Sequence, residues 1–361
     1  MIATGSAIKR IAYYISAHGY GHAVRSTVIL SELVRDHRVH IKTEIPMEFF
    51  NLNLDGPLDI TTVPVDAGCV QDDAVRINEE RSFRNLQEFY ENPGKCLENE
   101  TRWLEENRID LVVSDVASRP LKAGQNAGIP AVLIANFTWH DIYSHFPGAE
   151  NHTGLLKILE EEYAAARLQI LPQCHIENSF PARKEEVGFI ARKGKNVRRE
   201  LEDALSVSLI DKNLVFIYLG ESGKIDVDWN NLEAMEDCLF LTRDPLPPRS
   251  NLFVLDGTFR YQDLIASSDI VCTKAGYSTL GTAFAHGKPV ITCSREHFRE
   301  FAAVREFLIE TGVGVIVDSA QFYSGRWAES IKKAREITVK GKVRLDGEIE
   351  ALKYMNYFLR T

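Results

Sequence analysis

The chain is poor in the residues that a disulfide-stapled, zinc-binding or membrane-spanning protein needs. Six cysteines (Cys69, Cys96, Cys174, Cys238, Cys272, Cys293) are scattered over 361 residues without Cys-x-x-Cys spacing. That argues against a disulfide framework and the common zinc sites. Cys272 and Cys293 fall in apolar runs, where cysteine behaves as a small hydrophobe. No apolar segment approaches the roughly 18 residues of a membrane-crossing helix. The stretch from Ile8 to Ile15 reads as a strand and not as a signal peptide, so the expectation is a cytoplasmic protein. Positive charge is short as well. Lys plus Arg total 42 against 51 Asp plus Glu, a net charge of -9. Such a balance argues against nucleic acid or an anionic membrane as the main partner. One basic stretch stands out, Arg183 to Arg199, and it has two readings, a solvated linker and helix face first and a phosphate contact second.

What is present is a globular composition, 45% hydrophobic and 26% charged, in a chain long enough for two cores. Its most informative stretch is residues 269–291, DIVCTKAGYSTLGTAFAHGKPVI. A short apolar strand leads into a tight turn at Lys274-Ala275-Gly276. A helix opens at Tyr277-Ser278-Thr279, and Gly287-Lys288-Pro289 closes it before a second strand. This is a βαβ unit whose helix N-terminus offers unpaired amides and partial positive charge. Gly276 allows close backbone approach, Ser278 and Thr279 add hydroxyls, and Lys274 adds a cation. A diphosphate fits there. An ordinary capped turn uses the same residues.

The rest of the chain repeats the alternation. Strands are expected at 8–17, 39–43, 60–65, 109–114, 131–135 and 167–171, then at 214–219, 238–242, 252–255, 270–272, 290–293 and 313–317, with helical patterns between. Residues 172–195 lack periodicity and hold Pro172, Pro181, Gly188 and Gly194. The expected division is therefore an N-terminal domain over 1–180, a linker at 181–195 and a C-terminal domain over 196–361. The last helix is a candidate to pack back on the first domain. Two such blocks imply an α/β protein of two doubly wound, Rossmann-like domains facing a cleft, with ligands outside the carboxyl ends of the strands.

The first of those ends carries His18-Gly19-Tyr20-Gly21-His22, followed by a helix expected from Ala23. It is not the dinucleotide Gly-x-Gly-x-x-Gly fingerprint, because the third glycine is absent and no acid ends the second strand. A histidine there can act as a general base. Asp115 ends a strand that should neighbour the first, so its carboxylate can orient His22 in the arrangement that activates hydroxyl nucleophiles. The plainer alternatives are a helix cap for His22 and a turn residue for Asp115.

These motifs together resemble the GT-B glycosyltransferases, and most nearly the glycosyltransferase-like N-terminal region of plant L-arabinokinases. The matching stretches are HGYGHAVR (18–25), DAGCVQDDA (66–74), DLVVSDV (110–116), AGIPAV (127–132), NFTWHDIY (136–143) and KAGYST (274–279). The resemblance implies a GT-B fold and metal-independent transfer of a sugar from a nucleoside-diphosphate sugar to an acceptor hydroxyl. It makes His22 the base and Asp115 its partner. It places the donor diphosphate on Lys274, Gly276, Tyr277, Ser278 and Thr279 and on the loop Gly220-Glu221-Ser222. Phe259 would lie near the nucleotide base, and Glu300 near the donor sugar. Thr282 stands where relatives carry a ribose-binding glutamate. A threonine makes one neutral hydrogen bond and cannot grip a diol as a carboxylate does. His18, Gly19, Gly21, Asn136 and Trp139 are expected in the acceptor loops. Phe137, Trp139, Tyr143 and Phe146 would form either a sugar-stacking wall or core packing. Two other readings share this frame. Gly21-His22-x-x-Arg25 also resembles nucleotide-sugar hydrolases or epimerases, and the Thr282 departure suits a sugar-nucleotide-binding module without chemistry.

Overall fold

The computed structural model describes residues 8–72, 77–220, 227–295 and 298–360. The chain forms two compact units. One takes in the chain up to Val70, Asn78–Ile190 and the C-terminal stretch from Asp346. The other comprises Gln71–Ile77 and Ala191–Leu345.

The first unit is built on a seven-stranded sheet. Its strands are β1 (Arg10–Ile15), β2 (Arg38–Thr43), β3 (Asp59–Thr62), β4 (Leu111–Asp115), β5 (Ala131–Ile134), β6 (Leu168–Pro172) and β7 (Arg183–Val187). All pairings are parallel, in the order β3-β2-β1-β4-β5-β6-β7. The central strands read as nearly unbroken apolar runs (IAYYI, LVVS, AVLI), as strands covered on both faces must. The order reverses between β1 and β4, where Ile15 stands beside Asp115. In a doubly wound sheet this switch point leaves an open crevice at the carboxyl ends of the strands, because the connections leave in opposite directions.

One feature of this unit differs from the sequence pattern. The stretch 181–195, expected as a linker, contains β7, which pairs along β6 from Leu168↔Arg183. Its sequence, RKEEV, has no apolar alternation because it is an edge strand, and charge on an edge discourages further pairing. The chain leaves the unit later, at Ile190. The last helix (Gly347–Arg360) belongs to this unit. Its Ala351, Met355 and Leu359, four residues apart, form one stripe buried in the core with Ile11, Leu30 and Leu33. Gly347 opens it against the backbone at Gly188, where an added Cβ would stand 2.0 Å from the Gly188 carbonyl oxygen.

The second unit has a six-stranded sheet of β8 (Asn213–Tyr218), β9 (Cys238–Thr242), β10 (Leu252–Val254), β11 (Ile270–Thr273), β12 (Val290–Cys293) and β13 (Gly314–Val317). These too are all parallel, in the order β10-β9-β8-β11-β12-β13. Here the switch point lies between β8 and β11, with Tyr218 beside Thr273. Val215, Ile217, Phe240, Cys272 and Ile291 from the strands share a core with Trp229 and Trp327. Each unit thus brings its chemistry-bearing turns to the switch point of its own sheet.

Candidate functional site

In the first unit the helix Tyr20–Asp36 begins earlier than its apolar pattern suggests. Gly19, at φ 75°, is its N-cap, so the chain turns in one residue and His22 falls in the first helical turn. Glycine tolerates that left-handed φ at little cost. From there His22 Nδ1 lies 2.9 Å from Asp115 Oδ1, although 93 residues separate them in the chain. Asp115 is fully buried and also accepts hydrogen bonds from Arg25 Nε (2.9 Å) and Ser26 Oγ (2.8 Å) at Oδ2, and from Arg25 Nη2 at Oδ1. Burial pushes its carboxyl up, but the Arg25 charge and the His22 hydrogen bond outweigh that and hold it at about 2. Asp115 is therefore a carboxylate at neutral pH and only accepts, so the shared proton sits on His22 Nδ1. In the neutral ring Nε2 is then the acceptor nitrogen, and it makes no hydrogen bond among the described residues. The pair can take a proton from a hydroxyl.

The remaining residues expected here divide. Half-buried His18 accepts the Cys69 amide at Nδ1 (3.2 Å) and meets the Trp139 ring edge-on at 5.1 Å. Gly21 lies exposed in the first helical turn. Asn136, in the loop after β5, is 1% exposed, and its Oδ1 accepts Arg25 Nη1 at 2.8 Å. Phe137, Trp139, Tyr143 and Phe146 are all buried, with ring centroids 5.2–6.5 Å apart in successive edge-on contacts. Of the two expectations for these aromatics, core packing is the one found. The Trp139 indole N–H donates to Asp66 Oδ2 at 2.9 Å, and Ser16 Oγ donates to Oδ1 at 3.2 Å. Burial raises the Asp66 carboxyl's pKa, against those two hydrogen bonds.

In the second unit the helix Tyr277–Ala285 follows β11, with Gly276 as its N-cap. Gly276 itself has φ -64°, a value open to any residue, and the left-handed position is Ala275 at φ 61°. The turn was legible, but the strained residue is not the glycine. For a non-glycine residue that conformation costs about 1 kcal/mol. Lys274 reaches the loop after β8, where a Cβ on Gly220 (φ 92°) would lie 2.9 Å from its Nζ. Burial and the neighbouring Arg295 push the Lys274 ammonium down to about 8, while Asp244 and Glu300 pull the other way. At pH 7 it is still largely a cation. Gly220 and Lys274 thus lie side by side, whereas Glu221 and Ser222 lie outside the described residues.

Tyr277, Ser278 and Thr279 are buried in the first helical turn, and Thr279 Oγ1 pairs with the Tyr261 hydroxyl at 2.7 Å. Thr282, in the second turn of this helix, is 1% exposed. Glu300 is also buried, at the start of the helix Glu300–Thr311, where its charge acts on Lys274. Phe259 is half-buried in the loop after β10.

Sequence reasoning gave no role to several polar groups that hold these sites together. Arg25 is 2% exposed and clamps Asp115. Asp244, 2% exposed, accepts the Leu219 amide at 2.6 Å and so holds the approach to Gly220. Arg295 is 5% exposed, its guanidinium 4.3 Å from the Phe298 ring centre. Arg25 alone had a usable signal, its place one helical turn after His22. For metal, the described residues contain one group, His175, Glu177 and Glu186, whose ligand atoms lie within 4.8 Å of one another. It sits along the β6–β7 connection and includes neither His22 nor Asp115. Among the described residues no helix is long and apolar enough to cross a membrane.

Comparison with known proteins agrees with this frame. Residues 9–176 match the family described as Glycosyl transferase family 1. L-arabinokinase of Arabidopsis thaliana is 30% identical over 339 residues, which is 90% of this chain and 32% of that protein. The chain thus spans about a third of the length of that curated relative. Among solved structures, the glycotransferase of kitacinnamycin has a TM-score of 0.68 at 14% identity, covering 98% of this chain and 100% of that one. A UDP-glucosyltransferase from Polygonum tinctorium capable of glucosylating indoxyl has a TM-score of 0.66 at 14% identity, covering 98% and 99%. The calicheamicin glycosyltransferase CalG4 has 0.64 at 16%, covering 98% of each. At these identities the likeness to solved structures is one of fold.

Proposed function

We propose that this chain of GT-B fold is a glycosyltransferase, the family that residues 9–176 match, and that it moves a sugar from a nucleoside-diphosphate sugar to an acceptor hydroxyl. The observation that carries this reading is the buried His22–Asp115 hydrogen bond, which leaves Nε2 as an open base. The acceptor O–H proton passes to His22 Nε2 as the oxygen bonds to the anomeric carbon. The bond from that carbon to the diphosphate oxygen breaks, and its electron pair leaves with the diphosphate. Asp115 stays ionised throughout, holding the ring and balancing the imidazolium. In the second unit the amides of Tyr277, Ser278 and Thr279, the approach at Gly220 and the Lys274 ammonium receive the charge on the leaving group. Preorganised donors of this kind are worth about 3 kcal/mol each in a dry site. With helix and lysine in that role the proposed transfer needs no metal.

The experiment is thermal unfolding with a panel of nucleoside diphosphates and their sugars. A ligand at about 100 times its dissociation constant adds about 2.7 kcal/mol to the native state. That corresponds to a rise of several degrees, at about 2–4 °C per kcal/mol. The nucleotide that shifts the midpoint fixes the donor class, and turnover with that donor is then compared with H22A. Loss of about 10²–10⁴ in rate is expected for removal of a base. Unchanged turnover in H22A removes it from that role, and donor loss without a glycosylated product assigns a hydrolase or epimerase instead. Binding without any turnover assigns a non-catalytic module.

A further inference from the structure

We infer that Arg25 is a positioning residue that keeps His22 neutral and protonated on Nδ1, by occupying the carboxylate that would otherwise stabilise the imidazolium. This rests on the reading of His22 as the base.

Arg25 lies three residues after His22 on the same helix, which places both side chains on one face. Its guanidinium meets both oxygens of Asp115, through Nε at Oδ2 (2.9 Å) and through Nη2 at Oδ1, in the forked geometry that makes arginine–carboxylate pairs strong. Nη1 is fixed by Asn136 Oδ1 at 2.8 Å, so the plane of the guanidinium is held from the far side as well. With Ser26 Oγ on Oδ2 and His22 on Oδ1, both oxygens of Asp115 are taken.

In a histidine–aspartate pair standing alone, the carboxylate is the full counter-charge of the imidazolium and raises the basicity of the ring. Here that negative charge is shared with a permanent cation whose Nη2 lies 3.3 Å from His22 Nδ1. Both nitrogens carry hydrogens, so the short approach is repulsive once the ring is charged. Among the described residues the charged groups placed around His22 include Arg25 on its own helix, Asp115 from β4 and Asp66 from the loop after β3. The Phe137 ring, 5.8 Å away edge-on, adds none. Tyr13 of β1 lies against Asp115 and Arg25, and burial keeps its phenol protonated. Asp66 and Asp115 favour the imidazolium, and Arg25 opposes it.

The test is the imidazole titration of His22 in the full chain, read by long-range ¹H–¹⁵N NMR and assigned by the loss of its signals in H22Q. In R25Q, which keeps a donor for Asp115 and removes the charge, the midpoint should rise by about one pH unit. In R25K, which keeps the charge, it should stay near the wild-type value. A folded R25Q with an unchanged midpoint overturns the inference, and so does an R25K that moves as far as R25Q. Should R25Q fail to fold, the wild-type spectrum decides. A neutral ring protonated on Nδ1 at pH 7 is required, and an imidazolium or an Nε2–H tautomer overturns the proposal. The spectrum reads the ring whether or not it is catalytic. A fully active H22Q would therefore refute the base assignment while leaving the Arg25 result to stand by itself.

Discussion

Asp115→Asn is the most informative single change, because it keeps shape and removes charge at a fully buried position. The wild-type carboxylate compensates Arg25, itself 2% exposed, and accepts from His22 and Ser26. An amide leaves the guanidinium without its counter-charge and turns one acceptor oxygen into an NH₂ that faces donors. Breaking a buried ion pair from one side costs about 3–5 kcal/mol. With a urea slope of about 2–3 kcal/mol per molar, the unfolding midpoint of D115N should fall by about 1–2 M. The double variant R25M/D115N removes the stranded charge too, and should be less destabilised than the two single changes added together, by about 1–3 kcal/mol. The pH dependence gives a second check. A carboxyl at about 2 in the folded chain against an ordinary 3.8 contributes stability that is fully present above about pH 4 and lost as pH falls through 2. The gap of nearly two pH units, at about 1.4 kcal/mol each, is worth about 2 kcal/mol. D115N should lack that acid-side loss. A D115N protein within about 1 kcal/mol of wild type, or strictly additive variants, would falsify the clamp described here.

Three further outcomes are expected. Affinity for a nucleoside diphosphate, followed by titration calorimetry, should weaken as pH rises through about 8, where Lys274 loses its proton. K274M should bind more weakly and show no such dependence, and a wild-type affinity flat from pH 7 to 9 would detach Lys274 from the donor. Gly220→Ala forces a Cβ to 2.9 Å from Lys274 Nζ at a left-handed φ, so it should reduce donor affinity while leaving the unfolding transition within about 1–2 kcal/mol of wild type. Gly347→Ala places a Cβ 2.0 Å from the Gly188 carbonyl oxygen. It should destabilise the chain by about 1–3 kcal/mol or more, and a neutral result in chemical denaturation would mean that the C-terminal helix is not seated on that backbone.

The sequence by itself determined the class of the fold and where its chemistry gathers. Apolar runs such as IAYYI, LVVS and AVLI can only be covered strands, and glycine-bearing turns at their carboxyl ends mark the switch points of the sheets. Periodicity is a local property, so β1, β4, β8 and β11 and the turns at His22 and Lys274 were visible in it. β7 was not, because an edge strand of charged residues carries no apolar alternation. The last helix was a candidate to pack back on the first domain, but the stripe of Ala351, Met355 and Leu359 by which it does so came only with the structure. Beyond the His22–Asp115 pair, tertiary structure alone decided which polar residues face one another. Nothing in the spacing of Arg25, Asp115 and Asn136 says that they share one buried network, since it closes over gaps of 90 and 111 residues. Nor does sequence say that the residue held left-handed at the anion-binding turn is Ala275 and not Gly276. Such matters follow from how strands align across a sheet and from which charges burial forces together, and both are fixed only when the whole unit has packed.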